Sequence, residues 1–222
     1  MISPRLKAIA DFVDSKERIV DIGCDHSLLA IYLIKKNILE NAIVSDINKN
    51  ALKNAIDNIK KVRLESKIKP ILSDGLENIP EEEYDTIIIS GMGTKNILNI
   101  LKPTEKTKNV KKLIIQSNND RYKLRKLLVS YGYYIADESI VKDNGKYYIT
   151  IKFLNGKRKH KSIDYIFGKI KKENLEYYEY LRTKYLTILS NIPKRKVVTR
   201  ARLQRLIAKL NKIIEKISDY SR

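Results

Sequence analysis

A segment rich in acidic residues and glycine, Asp21 to His26 (sequence DIGCDH), follows an apolar stretch and precedes a helical pattern. A glycine at position 23 lets the backbone approach a ligand closely, and the helix start offers free N–H groups to a carboxylate or phosphate. An ordinary tight turn explains this segment alone equally well. A dinucleotide fingerprint needs three glycines (Gly-x-Gly-x-x-Gly), and only Gly23 is present.

Two further acids, Asp46 and Asp74, end the next two apolar stretches, and Asp46 comes 23 residues after Gly23. Asp46 is placed to accept both hydroxyls of a ribose, and Asp74 to accept from an adenine amino group. Each acid taken singly is better explained as a helix cap or a solvated loop residue. The joint pattern fits an adenosine-containing ligand. The missing glycines argue against a pyrophosphate, and therefore against NAD, which leaves S-adenosylmethionine as the better candidate.

Polar groups also follow the fourth and fifth apolar stretches. The sequence Ser90 to Gly93 (SGMG) has two glycines around Met92, which would let a flat substrate approach the backbone. Gln116 and Asn118 carry amides able to read the edge of a base. Turn formation is the alternative explanation for both segments.

The histidines and the single cysteine give weaker signals. His26 lies inside the glycine turn, where bonding to the backbone is at least as good an explanation as catalysis. His160 lies in a basic stretch, and we expect it at the surface. Cys24 is expected to fill the turn as a small residue, because nothing supports a nucleophilic role.

Short apolar stretches alternate with helical patterns, which indicates βαβ units and a parallel sheet covered on both faces. Asn48 and Asp120 are expected to cap helices, and Gly132 to end one. The sequence predicts a Rossmann-like α/β fold with ligands at the carboxyl ends of its strands. The predicted strands are 18–23, 42–46, 69–72, 84–90, 112–116 and a closing antiparallel pair, 133–140 and 147–154.

The pattern changes after residue 154. Apolar residues recur every three or four positions from Ile163 to Ile192, and again from Leu203 to Ile217. Pro193 and the Lys194–Lys196 run separate the two stripes. We therefore expect an antiparallel, coiled-coil-like helical hairpin. The predicted domains are 1–154 and 155–222.

Positive charge is concentrated in the same C-terminal part. The chain has 45 Lys+Arg and 26 Asp+Glu, a net charge of +19. Residues 151–222 hold 20 and 6 of these, a net +14, which leaves +5 for residues 1–150. Genome composition alone would spread the excess more evenly, so a polyanion is the expected partner.

Composition excludes several classes. With 222 residues and 43% apolar content, the chain can bury a core and is not disordered. No apolar run is long enough for a bilayer, and one cysteine excludes a disulfide framework or a Cys-rich zinc site. We expect no secretory signal, no metal and no membrane partner, and a cytoplasmic monomer.

Taken together, the motifs resemble the TrmK family, bacterial tRNA methyltransferases that act on N1 of adenine 22, over roughly residues 1–153. A Phe167-Gly168 step and the helical hairpin resemble the C-terminal domain of the family. The chain departs from the expected pattern at Cys24, Thr94 and Ser117, and at Lys169 after that step. The strings that carry the resemblance are Arg5-Leu6-x-x-Ile9-Ala10, Asp21-Ile-Gly-x-Asp-His26-x-x-Leu29, Ser45-Asp46-Ile47, Asp74-Gly75-Leu76, Gly91-Met92-Gly93 and Gln116-x-Asn118.

The resemblance implies a class I methyltransferase fold, a mostly parallel seven-stranded sheet that binds S-adenosylmethionine, with tRNA as partner. The sites expected on this basis fall into three sets. Asp25, His26 and Met92 are the catalytic candidates. The cofactor set is Asp21, Gly23, Cys24, Asp46, Ile47, Asp74, Gly75, Ser90 and Gly91. The substrate set is Arg5, Gly93, Gln116 and Asn118, joined by Lys194, Arg195, Arg200 and Arg202 on the hairpin for tRNA phosphates.

Two alternatives remain open at this point. One keeps the methyltransferase activity but changes the substrate to another RNA, a protein or a small molecule. The other is a non-catalytic RNA-binding module in which the basic hairpin alone carries the function.

Overall fold

The computed structural model describes residues 2–219; Met1 and residues 220–222 of the two predicted domains lie outside this range. Within it, the chain builds one seven-stranded sheet, as the sequence predicted. The strands are β1 (Ile19–Ile22), β2 (Ala42–Asp46), β3 (Ile68–Leu72), β4 (Thr86–Met92), β5 (Lys112–Ser117), β6 (Tyr133–Asp143) and β7 (Lys146–Asn155).

Strands β1 to β5 are parallel, and β7 runs antiparallel to both β5 and β6. The strand order is β3-β2-β1-β4-β5-β7-β6. In the sheet, β2 and β3 therefore lie on one side of β1, whereas β4 lies on the other side. Such a reversal opens a crevice at the carboxyl ends of the two central strands, where α/β sheets bind their ligands.

Helices cover the sheet and begin where the sequence provides caps. The side chains of Ser3, Asn48 and Asp120 each accept a backbone N–H of the helix that follows, as predicted for Asn48 and Asp120. None of the helices described is long and apolar enough to cross a membrane. The helices of the first part of the chain are α1 (Pro4–Ala10), α2 (Leu28–Lys35), α3 (Lys49–Lys61), α4 (Thr94–Ile100), α5 (Glu105–Lys108), α6 (Arg121–Ser130) and α7 (Ser162–Phe167).

The boundary between the two parts of the chain lies at Gly168, not at residue 154 as predicted. The described residues divide into two compact units, with Gly168 ending the first and Lys169 beginning the second. The stretch from 155 to 168 belongs to the first unit because α7 packs on α6. There Arg125 Nη1 donates to the carbonyl oxygen of Tyr165 at 3.3 Å.

Gly168 also interrupts the single long helix predicted from Ile163 to Ile192. Its φ of 82° lies in the left-handed region. A Cβ at this position would collide with the carboxylate of Glu138, which forms a buried ion pair with Arg125 at 2.7 Å. The left-handed backbone of Gly168 ends α7, and the collision leaves room only for glycine there, which the apolar periodicity alone could not reveal.

The expectation that His160 lies at the surface is wrong. Its side chain is buried, and its Nε2 accepts the backbone N–H of Ile135 at 3.1 Å. Ile135 stands beside an irregularity in the β6–β7 pairing, between residues 135 and 137. The histidine therefore satisfies a backbone donor at the β6 bulge.

The second unit contains the predicted helical hairpin, formed by α8 (Leu175–Asn191) and α9 (Val197–Asp219). The break at Pro193 is confirmed. Arg200 Nη1 donates to the carbonyl oxygens of Leu189 and Ile192, at 2.9 and 2.7 Å, and so caps the end of α8. The buried residues of α9 are Ile207, Leu210, Ile213, Ile214 and Ile217.

Candidate active site

The turn after β1 is held against the end of β2. The N–H groups of Gly23 and Cys24 both donate to the carbonyl oxygen of Ser45, at 2.8 and 3.0 Å. Gly23, Asp25 and Ser27 all adopt left-handed backbone conformations, with φ between 47° and 74°. For the two non-glycine residues this conformation costs on the order of 1–3 kcal/mol each. The turn is a strained loop that its neighbours hold in place.

Two buried hydroxyls flank this turn without using their hydrogen-bonding capacity. The Oγ atoms of Ser27 and Ser45 have no hydrogen-bond partner among the described residues, and both side chains are fully buried. Buried hydroxyls are normally paired, so these two groups are available to a bound molecule or to ordered water. Ser27 is the N-cap residue of α2, and its side chain makes no capping bond.

Asp21 lies on β1 beneath the turn and is 5% exposed. Burial, reinforced by the negative charge of Asp46, raises the pKa of Asp21 to about 7, while the charge of Arg5 acts in the opposite direction. Burial also raises the pKa of the Cys24 thiol, with Asp21 as the next contribution. Cys24 therefore stays a neutral thiol, consistent with the predicted packing role.

Asp46, at the end of β2, anchors two neighbouring backbone segments. Its Oδ1 accepts the N–H of Asn48 at 2.9 Å, and its Oδ2 accepts the N–H of Asp25 at 3.4 Å. Each carboxylate oxygen keeps a further lone pair. The carboxylate is partly exposed and faces a cleft.

That cleft has a volume of about 870 Å³ and lies at the carboxyl ends of β1 to β4. Ligand sites of this kind typically measure about 300–1,000 Å³. Five of the predicted cofactor residues line it: Gly23, Asp46, Ile47, Asp74 and Gly75. The cleft lining, as described, does not include Asp21, Cys24, Ser90 or Gly91, so their predicted contacts with a cofactor stay predictions.

Sequence reasoning missed much of the far wall of the cleft. Asn96, Asn99 and Ile100 line it from α4. These three positions recur at the spacing of one helical face, which the sequence could have revealed once Gly93 was taken as the start of a helix. Lys102, Thr104 and Lys106 follow in the connection to α5 and in α5 itself.

Met92 belongs both to the lining of the cleft and to the predicted substrate segment Gly91–Gly93. Its side chain lines the cleft, and its methyl group occupies the space that a Cβ at position 23 would need. Gly91 forms a bulge in the pairing of β4 with β5, with a φ of 78°. The strand predicted to end at Ser90 therefore extends to Met92, with the bulge between these two residues.

A hydrogen-bonded chain supports this bulge. Arg5 Nη1 donates to Gln116 Oε1 at 3.1 Å, and Gln116 Nε2 donates to Asn118 Oδ1 at 3.4 Å. Asn118 Nδ2 then donates to the carbonyl oxygen of Gly91 at 2.6 Å. Gln116 is buried with both amide groups engaged, so it positions Arg5 and Asn118 and is not placed to read a base edge.

The other predicted residues are more dispersed. Asp25 and His26 are exposed, with His26 Nε2 at 3.5 Å from Asp25 Oδ2, and neither is among the described residues that line the cleft. Lys194, Arg195 and Arg202 are exposed on the second unit. Arg200 has both Nη1 hydrogens committed to the hairpin turn, which gives it a structural role that the sequence did not predict.

Replacing Asp21 by asparagine should change how stability depends on pH. The folded chain holds the Asp21 proton up to about pH 7, whereas the unfolded chain releases it near pH 4. The folded state therefore binds more protons in that window, and this contribution to the free energy of unfolding falls as pH rises. Measured by urea unfolding, the free energy of unfolding of Asp21→Asn should rise relative to that of the native chain as pH rises through this window. The expected rise is up to about 1.4 kcal/mol per pH unit.

The matched control is Asp57→Asn on the exposed side of α3. If the native chain and both variants show the same pH dependence between pH 5 and 7, Asp21 titrates normally, and its burial has no electrostatic cost.

Comparison with known proteins agrees with this geometry. A family model described as a methyltransferase domain matches residues 2–151. The chain is 32% identical over 148 residues to the tRNA (adenine(22)-N(1))-methyltransferase of Bacillus subtilis. That alignment covers 66% of this chain but 62% of the relative, so the chain spans less than two thirds of that protein's length.

Solved structures match over a greater length. TrmK of M. capricolum, in complex with S-adenosyl-homocysteine, superposes with a TM-score of 0.84 at 31% identity, covering 98% of this chain and 99% of that one. Sp1610 of Streptococcus pneumoniae, in complex with S-adenosyl-L-methionine, gives 0.86 at 28% identity, covering 96% and 100%. The chain therefore belongs to the methyltransferase-domain family and, within it, to the TrmK family that its motifs resemble.

Proposed function

We propose that this protein transfers a methyl group from S-adenosylmethionine to N1 of adenine 22 in tRNA. The observation that carries the proposal is the cleft at the strand reversal, which is lined by Asp46 and Asp74 at the ends of β2 and β3 and by Met92, next to the Gly91 bulge of β4. Its family membership supports the same reaction. Because the substrate is tRNA, we expect the protein to act in the cytoplasm.

The residues present fit this cofactor. The volume of the cleft suits a nucleoside-sized ligand. Gly23 exposes its backbone to the cleft, and any side chain at this position would collide with Met92. The exposed carboxylate of Asp74 and the lone pairs of Asp46 are acceptors for the amino and hydroxyl groups of an adenosine. The buried hydroxyl of Ser27, at the start of α2, has no hydrogen-bond partner among the described residues and is a further donor next to the turn.

The reaction depends more on the alignment of the reacting atoms than on acid–base catalysis. When bound, S-adenosylmethionine supplies a methyl group on a positively charged sulfur. Adenine N1 carries a free lone pair at neutral pH, so the protein needs no strong base and must instead hold N1 in line with the methyl group. Positive charge moves from the sulfur to the base during the transfer, so partial negative charge close to the bound base would favour the transition state.

The target base must also leave its stack, because N1 is hidden in a paired or stacked adenine. The bulge at Gly91 offers a backbone surface with little side-chain bulk, against which a flat base can lie. We propose that the basic hairpin holds the tRNA through its phosphates while the first unit receives the base. Exposed Lys194, Arg195 and Arg202 are the residues proposed for this contact.

Incubating purified protein with a tRNA transcript that has adenine at position 22 should produce 1-methyladenine there. Asp46→Asn keeps the size of the side chain but weakens its acceptors, so the KM for S-adenosylmethionine should rise about tenfold, the effect of losing a charged hydrogen bond. Primer-extension mapping identifies the methylated position. Nucleoside mass spectrometry at several S-adenosylmethionine concentrations gives the KM.

Asp57→Asn, an exposed acid on α3, serves as the control and should behave like the native chain. Methylation at another position or on another RNA would favour the alternative substrate. No methylation, together with no binding of S-adenosylmethionine by calorimetry, would favour the non-catalytic RNA-binding module.

Neutralising Lys194, Arg195 and Arg202 together to alanine should weaken tRNA binding without changing cofactor affinity. If these side chains neutralise phosphates, the slope of log affinity against log salt concentration should fall by roughly 2–3. Filter binding at several salt concentrations gives the slope, and calorimetry gives the affinity for S-adenosylhomocysteine.

The matched control removes the same charge from α3, through alanine at the exposed Lys49, Lys53 and Lys60. If both triple variants lose tRNA affinity equally, the effect is one of net charge, and the hairpin is not the binding surface.

A further inference from the structure

Tyr148 lies at the carboxyl edge of the sheet, beside the predicted substrate residues, although no sequence pattern distinguishes it. Thr150 of β7 pairs in register with Gln116 of β5. Because the two strands are antiparallel, Tyr148 stands two residues beyond this pair, past the end of β5 and on the same face as Gln116. Its side chain is partly exposed.

The ring of Tyr148 is paired with the guanidinium of Arg5, whose Cζ lies 5.6 Å from the ring centroid. The same guanidinium donates to Gln116, and its Nη1 lies 3.5 Å from where a Cβ on Gly91 would stand. Arg5 therefore lies next to both the aromatic ring and the bulge. Because Gln116 is buried, its hydrogen bond ties the orientation of Arg5 to the core of the first unit.

We infer that Tyr148, held by Arg5, is the wall on which the extruded adenine stacks. The inference rests on the proposed function and adds a residue that touches the substrate base. Enzymes that extract a base from its stack must replace the lost stacking, and aromatic rings do so. Here the Tyr148 ring with its guanidinium provides a planar surface, and the Gly91 bulge lies on the other side of Arg5 with little side-chain bulk.

The hydrogen bond of Arg5 to Gln116 also suits adenine N1, the atom that accepts the methyl group. A hydrogen-bond donor aimed at N1 would occupy the lone pair that must attack the methyl group. Arg5 Nη1 is instead engaged by Gln116 Oε1, which directs that donor toward the sheet. An aromatic face beside the base also favours the positive charge that methylation leaves on adenine.

Replacing Tyr148 by leucine should lower kcat/KM for tRNA by about tenfold to a hundredfold, the range expected for loss of one base–aromatic stack. Affinity for S-adenosylhomocysteine should stay unchanged. Tyr148→Phe should retain activity within about twofold, because the ring and not the hydroxyl makes the contact.

Tyr147→Leu is the matched control. Tyr147 is the adjacent residue of β7, faces the other side of the sheet and also lies near a cation, Lys142, with Nζ at 5.4 Å from the ring centroid. It should retain nearly native kcat/KM. Equal activity of Tyr148→Leu and the native chain, or a Tyr148→Phe variant as defective as Tyr148→Leu, would overturn the inference.

A second measurement uses the native chain and does not depend on a variant folding. A tRNA transcript carrying a photoreactive azidoadenosine at position 22 should crosslink to Tyr148, as identified by peptide mass spectrometry. Crosslinking to other residues without Tyr148 would overturn the inference. If the native chain methylates adenine 22 while these tests fail, the assignment of Tyr148 is wrong and the proposed function stands. If the native chain does not methylate, the proposed function fails first.

Discussion

The carbonyl oxygen of Ser45 accepts two N–H groups from the turn after β1, and the site depends on this pairing. It holds Gly23 and Cys24 against the end of β2, so that Asp46 stands next to the turn and accepts the N–H of Asp25. Without it, the left-handed residues of the turn would relax. The tips of β1 and β2 would then no longer form one edge of the cleft.

The same constraint explains the electrostatics. Burial of Asp21 on β1, reinforced by the negative charge of Asp46 on the adjacent strand, raises its pKa, while Asp46 stays partly exposed and accepts backbone hydrogen bonds. The charge of Arg5 offsets part of this cost. One side of the crevice thus has an acidic character suited to hydroxyl and amino groups, and the opposite wall is lined by Asn96, Asn99 and Ile100 of α4.

Much of this could be predicted from the sequence because the relevant signals are local. Apolar stretches of four to six residues fix the parallel strands, caps such as Asn48 fix helix starts, and acids immediately after strands must gather at one edge. Asp46 and Asp74 could therefore be assigned to a common cleft from their positions along the chain, and both line it.

The parts that could not be predicted depend on contacts between distant residues. Glu138 and Arg125 leave room only for glycine at position 168, and buried His160 accepts a backbone N–H at the β6 bulge. Arg200, predicted as a phosphate ligand in a basic run, also caps α8 through its Nη1. Periodicity and charge counts do not reveal these contacts, because each contact joins elements whose packing must already be known.

The central claim is that the strand tips around Asp46 hold an adenosine-containing cofactor, with its reactive end toward Met92 and Gly91. A crystal structure of the protein with S-adenosylhomocysteine tests it most directly. The account predicts ribose hydroxyls within hydrogen-bond distance of the Asp46 carboxylate, the adenine beside Asp74 and the sulfur near Met92. A ligand bound elsewhere, or a cleft that stays empty at saturating ligand, would contradict the account.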